Sequence, residues 1–289
     1  MATFRYPGII CQTRDWYDDL DDGTLARMPS PLPSVVGSPS SSGVAQATTQ
    51  VVASGVCSYL NPRLRGTVIA PPSEFDRLRT NSGAARISVP QEIASHTWMD
   101  RGSHPAVAYQ IRPAVEQQIQ IDGRTIRVIR PTDTAAGGKN LPTTVQVAEG
   151  LRAIPAGQRA YTNCVVIIPT ANPHNEPGKT IAGEGGAGEI LLFPVNSPQS
   201  QNDFDNRITH ESGHNYQGSL WQSAQAVQEW SSVRAADNNY PSRYAQEGDG
   251  EDFCEFIVLY NTARGTACEA AARQIYPNRW LKMLDYQSR

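Results

Sequence analysis

The stretch Arg207–Gly218, RITHESGHNYQG, decides how the rest of this chain is read. It holds His210, Glu211 and His214 in the order H-E-x-x-H. On a helix, side chains four residues apart lie one above the other, so His210 and His214 can share one metal ion. Glu211 then stands beside that ion, placed to take a proton from an attacking water. Asp203 or Asp205 is expected to open the helix and Gly218 to end it, with Ile208 turned inward.

A hydrolytic zinc site needs a third protein ligand and an open fourth position. The segment Ser242–Gly265, SRYAQEGDGEDFCEFIVLYNTARG, offers one. From Asp249 or Gly250 it reads as a helix in which Phe253, Phe256, Ile257 and Tyr260 recur at i, i+3, i+4 and i+7. Glu251 and Glu255 share another face, one turn apart. Two acids on a helix otherwise aromatic and aliphatic are costly without a partner. Glu251, 37 residues past His214, is therefore the expected third ligand. Glu255 is expected to accept a hydrogen bond from a ligand histidine and fix its orientation. Between the two motifs, Trp221–Ala236 reads as a helix with Val227, Trp230, Val233 and Arg234 near one stripe, broken at Asn238–Pro241.

Upstream, Gln118–Ile121 and Arg124–Ile129 alternate apolar and polar residues across Asp122–Gly123, a hairpin signal because both turn positions favour positive φ. Thr143 or Thr144 caps a helix running to about Ala153, with Val147, Leu151 and Ile154 on one face. Cys164–Ile168, CVVII, is a buried strand. Thr170–Gly188 reads as a long loop holding His174 and ending in the glycine-rich GEGGAG. No helix and no Lys-Ser/Thr pair follows those glycines, which excludes a phosphate-binding loop. Gly188–Val195 reads as a strand, joined to the metal helix by a loop at Ser197–Asn202. That strand is expected to lie at the sheet edge along a cleft and pair with an extended peptide, with Gly186, Gly188, Glu189, Ile190 and Leu191 as the substrate-contacting residues.

HESGH followed by SRYAQEGDGEDFCEF resembles the catalytic domain of the anthrax lethal factor family of gluzincin metalloproteases. In that family an H-E-x-x-H helix is followed by a tyrosine and then, seven residues on, by a glutamate opening an E-x-F-x-E helix. Tyr244 and Glu251 are seven residues apart here, and Glu251-Asp252-Phe253-Cys254-Glu255 matches the acidic pattern. The resemblance spans roughly Gln118 to Arg264. It implies a zincin-like α+β fold: a small mixed sheet with an edge strand over the cleft, an active-site helix and a helical C-terminal part. It also implies one Zn2+ held by His210, His214 and Glu251, with Glu211 as general base. Tyr244 would donate a hydrogen bond to the oxyanion of the tetrahedral intermediate. Asp252 and Cys254 stand where the family favours apolar residues.

The rest of the chain sets limits. With 289 residues, 39% apolar and 18% charged, it suits a soluble globular protein with a sizeable core. A net charge of −3 gives no electrostatic grip on nucleic acid or anionic membrane, and no apolar run is long enough for stable membrane insertion. Residues 1–105 are expected to form an irregular N-terminal segment before a peptidase domain at 106–289. That segment contains aromatics within 1–27, a Pro- and Ser-rich linker at about 28–55, then short strands and one helix. His96 and His104 lie in it outside any ligand spacing. Five scattered cysteines, an odd number, read as buried free thiols of a reducing compartment, although Cys254 and Cys268 flank a turn and could meet. The N terminus lacks the pattern of a classical secretory signal. The expectation is a zinc endopeptidase made in the cytoplasm and exported by a specialised system as an effector or toxin. Its partners would be a protein or peptide substrate and, through the N-terminal segment, secretion machinery or a chaperone. The alternatives are a zinc hydrolase of cell-wall peptide and a non-catalytic binding module whose structural zinc site is closed by a fourth ligand such as His174.

Overall fold

The computed structural model describes residues 55–61, 66–99, 108–111, 113–132, 141–175, 180–195 and 199–288. The aromatic segment 1–27 and nearly all of the 28–55 linker lie outside the described residues. One 3₁₀ turn at Gly55–Leu60 and helix α1 (Pro72–Thr80) come first, followed by short strands β1 (Arg86–Ile87) and β2 (Gln91–Ile93). Strands β3 (His96–Met99) and β4 (Ala108–Ile111) form a separate antiparallel pair.

Alternation produces the hairpin as expected. Strands β5 (Ala114–Ile121) and β6 (Arg124–Pro131) pair in register across Asp122 and Gly123, at φ 50° and 77°. Helix α2 (Thr144–Arg152) starts at Thr143, whose hydroxyl accepts from the backbone N–H of Gln146 while that side chain returns the bond. The short α3 (Ala156–Arg159) leads into β7 (Cys164–Ile167), every residue of which is buried. Strands β8 (Gly183–Gly186) and β9 (Glu189–Leu192) follow. The remaining helices are α4 (Gln201–Leu220), α5 (Ala224–Asp237), α6 (Asp249–Ala263), α7 (Glu269–Ile275) and α8 (Pro277–Ser288).

The protein is therefore mixed α+β, with a mixed sheet and a helical C-terminal part. Strand order is β1-β5-β6-β7-β9-β8, with β2 also on β5. The contacts β6–β7 and β7–β9 are parallel, and β8–β9 is antiparallel. One sheet face packs Ile119, Val128, Val165 and Ile190 against Val147 and Leu151 of α2 and Ile208 of α4. The helical part has its own core of Trp230, Phe253, Phe256, Tyr260, Tyr276 and Trp280. Elements on both sides of residue 105 share the sheet, since β1 and β2 both pair with β5.

Three expectations need correction. The edge strand is not Gly188–Val195: β9 is interior, and the edge belongs to β8, built from the glycines read as loop. Glycine has low strand propensity and hides the alternation, and the hairpin turn is Ala187–Gly188, at φ 51° and 85°. The metal helix runs from Gln201 to Leu220, longer than expected at both ends. Ser200 accepts from the N–H of Asp203, whose carboxylate accepts back from Ser200, so Asp203 is the third helical residue and not the first. The cysteines are not all free thiols. Cys57 and Cys268 form a disulfide across a separation of 211 residues, while Cys164 and Cys254 are free and buried.

Arg279 on α8 is fully buried and lies between two carboxylates. Its Nε and Nη2 donate to Asp252 at 2.8 and 2.7 Å, and its Nη1 donates to Asp237 at 3.1 Å. Trp230 Nε1 also donates to Asp252, at 3.0 Å. Asp252 thus ties the first turn of α6 to α5 and α8. Arg279→Met would strand two buried carboxylates and is expected to cost about 3–5 kcal/mol, read as a lower chemical-denaturation midpoint. Cys57→Ser should also lower stability, by about 3–5 kcal/mol, because the disulfide closes a very long loop. Thermal unfolding of the wild type with and without reductant checks this.

Candidate metal centre

The site forms where α4 and α6 cross. Gly213 makes the approach possible: a Cβ there would lie 3.0 Å from Ile257 Cγ2 and 3.1 Å from Cys254 Sγ. The whole of Glu251–Ala263 is buried, so neither glutamate is a solvated first-turn acid. Both meet His210. Its Nε2 lies 3.1 Å from Glu251 Oε2, and its Nδ1 lies 2.9 Å from Glu255 Oε1. His214 Nε2 is 3.6 Å from the same Glu251 oxygen, and its Nδ1 is 3.2 Å from Gln217 Oε1.

These distances bear on whether a metal fits. Ligand atoms about 2.0–2.1 Å from a tetrahedral ion stand roughly 3.3–3.4 Å apart. The Glu251 oxygen, at 3.1 and 3.6 Å from the two imidazole nitrogens, brackets that spacing. Cys254 also belongs to the neighbourhood: the ligand atoms of His210, His214 and Cys254 lie within 4.8 Å of one another, and this buried cluster can hold a metal ion. The two candidates for third ligand differ in setting. Glu251 Oε2 is shared between both Nε2 atoms, whereas the Cys254 thiol fills the space above Gly213 and is pushed up to about 11 by burial. His174 is not part of the cluster; its backbone N–H donates to Asn172 Oδ1 at 2.8 Å.

Electrostatics follow from burial and pairing. Burial opposes the Glu251 carboxylate's charge, but His214 and His210 outweigh it and hold the group well below the usual carboxylate range. Burial likewise works against a charged His210, and the hydrogen bonds to Glu251 and Glu255 carry it well above the ordinary histidine value. Glu211 differs. It is buried, accepts no hydrogen bond from any described residue, and burial raises its pKa despite the nearby histidines. Tyr244, in the 3₁₀ turn Tyr244–Gln246, lies over the His210 ring at 5.6 Å between centroids and 29° between planes. Burial, then Glu251 and Glu211, hold its phenol well above the usual value, so it stays a protonated donor.

Two contributions were not legible in the sequence. The first is the segment 66–70, which backs the site. Val68 N–H donates to Glu255 Oε2 at 2.5 Å, Gly66 carbonyl accepts from Tyr244 N–H at 2.8 Å, and Ala70 N–H donates to Asn206 Oδ1 at 2.9 Å. Glu255 is thus held from behind while it holds His210. No periodicity or motif marks these residues. The second is the role of β8. Strand β8 packs on α4 so closely that a Cβ on Gly185 would sit 2.0 Å from the Glu211 backbone oxygen. At Gly183 it would meet Glu211 Oε1 at 2.5 Å. Of the residues expected to contact substrate, Gly186 ends this edge strand and Gly188 lies in its turn, while Glu189, Ile190 and Leu191 sit in β9, the last two buried in the core.

No protein-family model, no curated protein and no solved structure matches this chain. Among the described residues, no helix is long and apolar enough to cross a membrane.

Gly185→Ala should cost about 1–3 kcal/mol or more, since its neighbour is helix backbone that cannot move aside. Gly183→Ala, which faces a side chain, should cost less. Paired denaturation curves measure the difference; equal stability of Gly185→Ala and wild type would contradict the close packing of β8 on α4.

Proposed function

We propose that this protein is a zinc-dependent peptidase with His210, His214 and Glu251 as the metal ligands. The observation that carries the reading is the single Glu251 oxygen facing both Nε2 atoms while Glu255 holds Nδ1 of His210. With zinc in place of the second proton, that hydrogen bond would keep the His210 proton on Nδ1 and leave the Nε2 lone pair for the metal. The resemblance of the H-E-x-x-H and E-x-F-x-E segments to the lethal factor family of gluzincins points the same way.

Zinc held by His210, His214 and Glu251 would supply a Lewis acid to polarise the scissile carbonyl and activate water. The chain's own residues do the rest. Glu211, unpartnered among the described residues and with a raised pKa, takes a proton from the attacking water and passes it to the leaving amine. Tyr244, held protonated against the His210 ring, donates to the oxyanion on the substrate. The outer edge of β8 offers backbone groups to an extended peptide, and Gly183 and Gly185 keep that strand flush with Glu211. The Cys57–Cys268 disulfide favours work in an oxidising compartment, in keeping with a secreted effector or toxin.

Metal analysis and cleavage of a randomised peptide library test the reading together. Wild type and Glu211→Gln should each carry about one zinc per chain, and His210→Ala should lose it. Glu211→Gln should cleave about 10²–10⁴-fold more slowly. Full zinc content in His210→Ala, or full activity in Glu211→Gln, would remove the proposal.

A further inference from the structure

Arg207 lies on α4 one turn before Glu211, so the two side chains rise from the same face. The arginines around it are committed: Arg79 to Asp205, Arg159 to Asp122, Arg234 to Asp249, and Arg279 to Asp237 and Asp252. Arg207 is half-buried, with its guanidinium over the Phe204 ring at 5.5 Å, and makes no hydrogen bond or ion pair with a described residue. The acids whose charge acts on it are Glu211 and Asp203. Asp203 is already engaged by the backbone N–H and hydroxyl of Ser200, at 2.9 and 2.8 Å. A permanently charged fork of five donors, partly removed from water and unpartnered, is costly unless a ligand takes it. The group that fits it is a carboxylate, bound bidentately.

Resting on the peptidase reading above, we infer that Arg207 binds a substrate carboxylate on a residue flanking the scissile bond. One helical turn advances about 5.4 Å and an extended peptide about 3.4 Å per residue. A carboxylate at Arg207 therefore belongs to a residue one or two positions from the bond held at Glu211. Two sources share this chemistry: an Asp or Glu side chain within a longer peptide, or the free C-terminal carboxylate of a short one. The first makes the protein an acid-selective endopeptidase, the second an enzyme that trims C termini.

The test uses the zinc-loaded full chain and peptide pools with Asp, Glu, Asn or Gln fixed at each position, made with amidated and with free C termini. Wild type should prefer carboxylate to amide by about 10–100-fold in kcat/KM, a charge-assisted hydrogen-bond increment. Arg207→Gln should abolish that preference, slowing the carboxylate pools about 10–100-fold and the amide pools far less, and Arg207→Lys should keep part of it. A merely structural arginine would lower all pools alike, which overturns the assignment. Preference that persists in amidated pools assigns the side chain, and preference confined to free-acid pools assigns the terminus. Binding of the same peptides to Glu211→Gln, with and without Arg207→Gln, separates recognition from turnover. Cleavage with no acidic preference removes the role of Arg207 and leaves the peptidase reading standing. Arg207-dependent binding of acidic peptides that wild type never cleaves supports Arg207 and removes the peptidase reading. Neither binding nor cleavage removes both.

Discussion

The site depends on the close crossing of α4 and α6 at Gly213. Only where one helix presents bare backbone can Cys254 and Ile257 of the other come within about 3 Å of the position a Cβ would occupy. That approach brings Glu251 and Glu255 to opposite nitrogens of one imidazole. A larger residue at 213 would separate the helices by part of a side-chain diameter, and both hydrogen bonds would lengthen past usefulness. Packing thus brings Glu251 and Glu255 to His210, and the two glutamates can be buried because each has a histidine to face.

Burying so many charges in one region requires that each be matched. Asp252, next in sequence to Glu251, points the other way and closes on Arg279 and Trp230. Successive residues of a helix diverge by about 100°, so one turn of α6 can face the histidines of α4 and the Arg279 cluster at once. The Arg279 cluster fixes how α6 is rotated, and rotation decides whether Glu251 meets both histidines. Glu255 is steadied in the same way by the Val68 N–H, from a stretch far away in sequence. Among the described residues, Glu211 is left without such a partner. Its lone pairs stay uncommitted, and burial raises its pKa.

Strand β8 shows how a weak strand former can be required by its position. Glycine disfavours strands in general, yet at 183 and 185 the underlying α4 leaves no room for a side chain. Hydrogen bonding to β9 on one side supplies what propensity does not. The outcome is an edge lying directly over Glu211.

Local patterns settled much of this in advance. Alternation around Asp122–Gly123, the capping threonine of α2, the apolar run of β7 and the four-residue spacing of His210 and His214 each depend on neighbours within a few residues, and each is visible as such. The Glu251 and Glu255 pairing was legible because two acids on an apolar helix demand partners. The disulfide, the edge role of β8, the bracing by residues 66–70 and the unpaired state of Arg207 were not legible. Each joins residues far apart along the chain, or consists in what a side chain fails to meet, and neither leaves a periodic trace. The sequence by itself determined that His210 and His214 share one helix face and that Glu251 and Glu255 on a second helix need partners. Tertiary structure alone decided which strand borders them and which charges are left without a partner among the described residues, because burial and proximity across the fold set those, and composition does not.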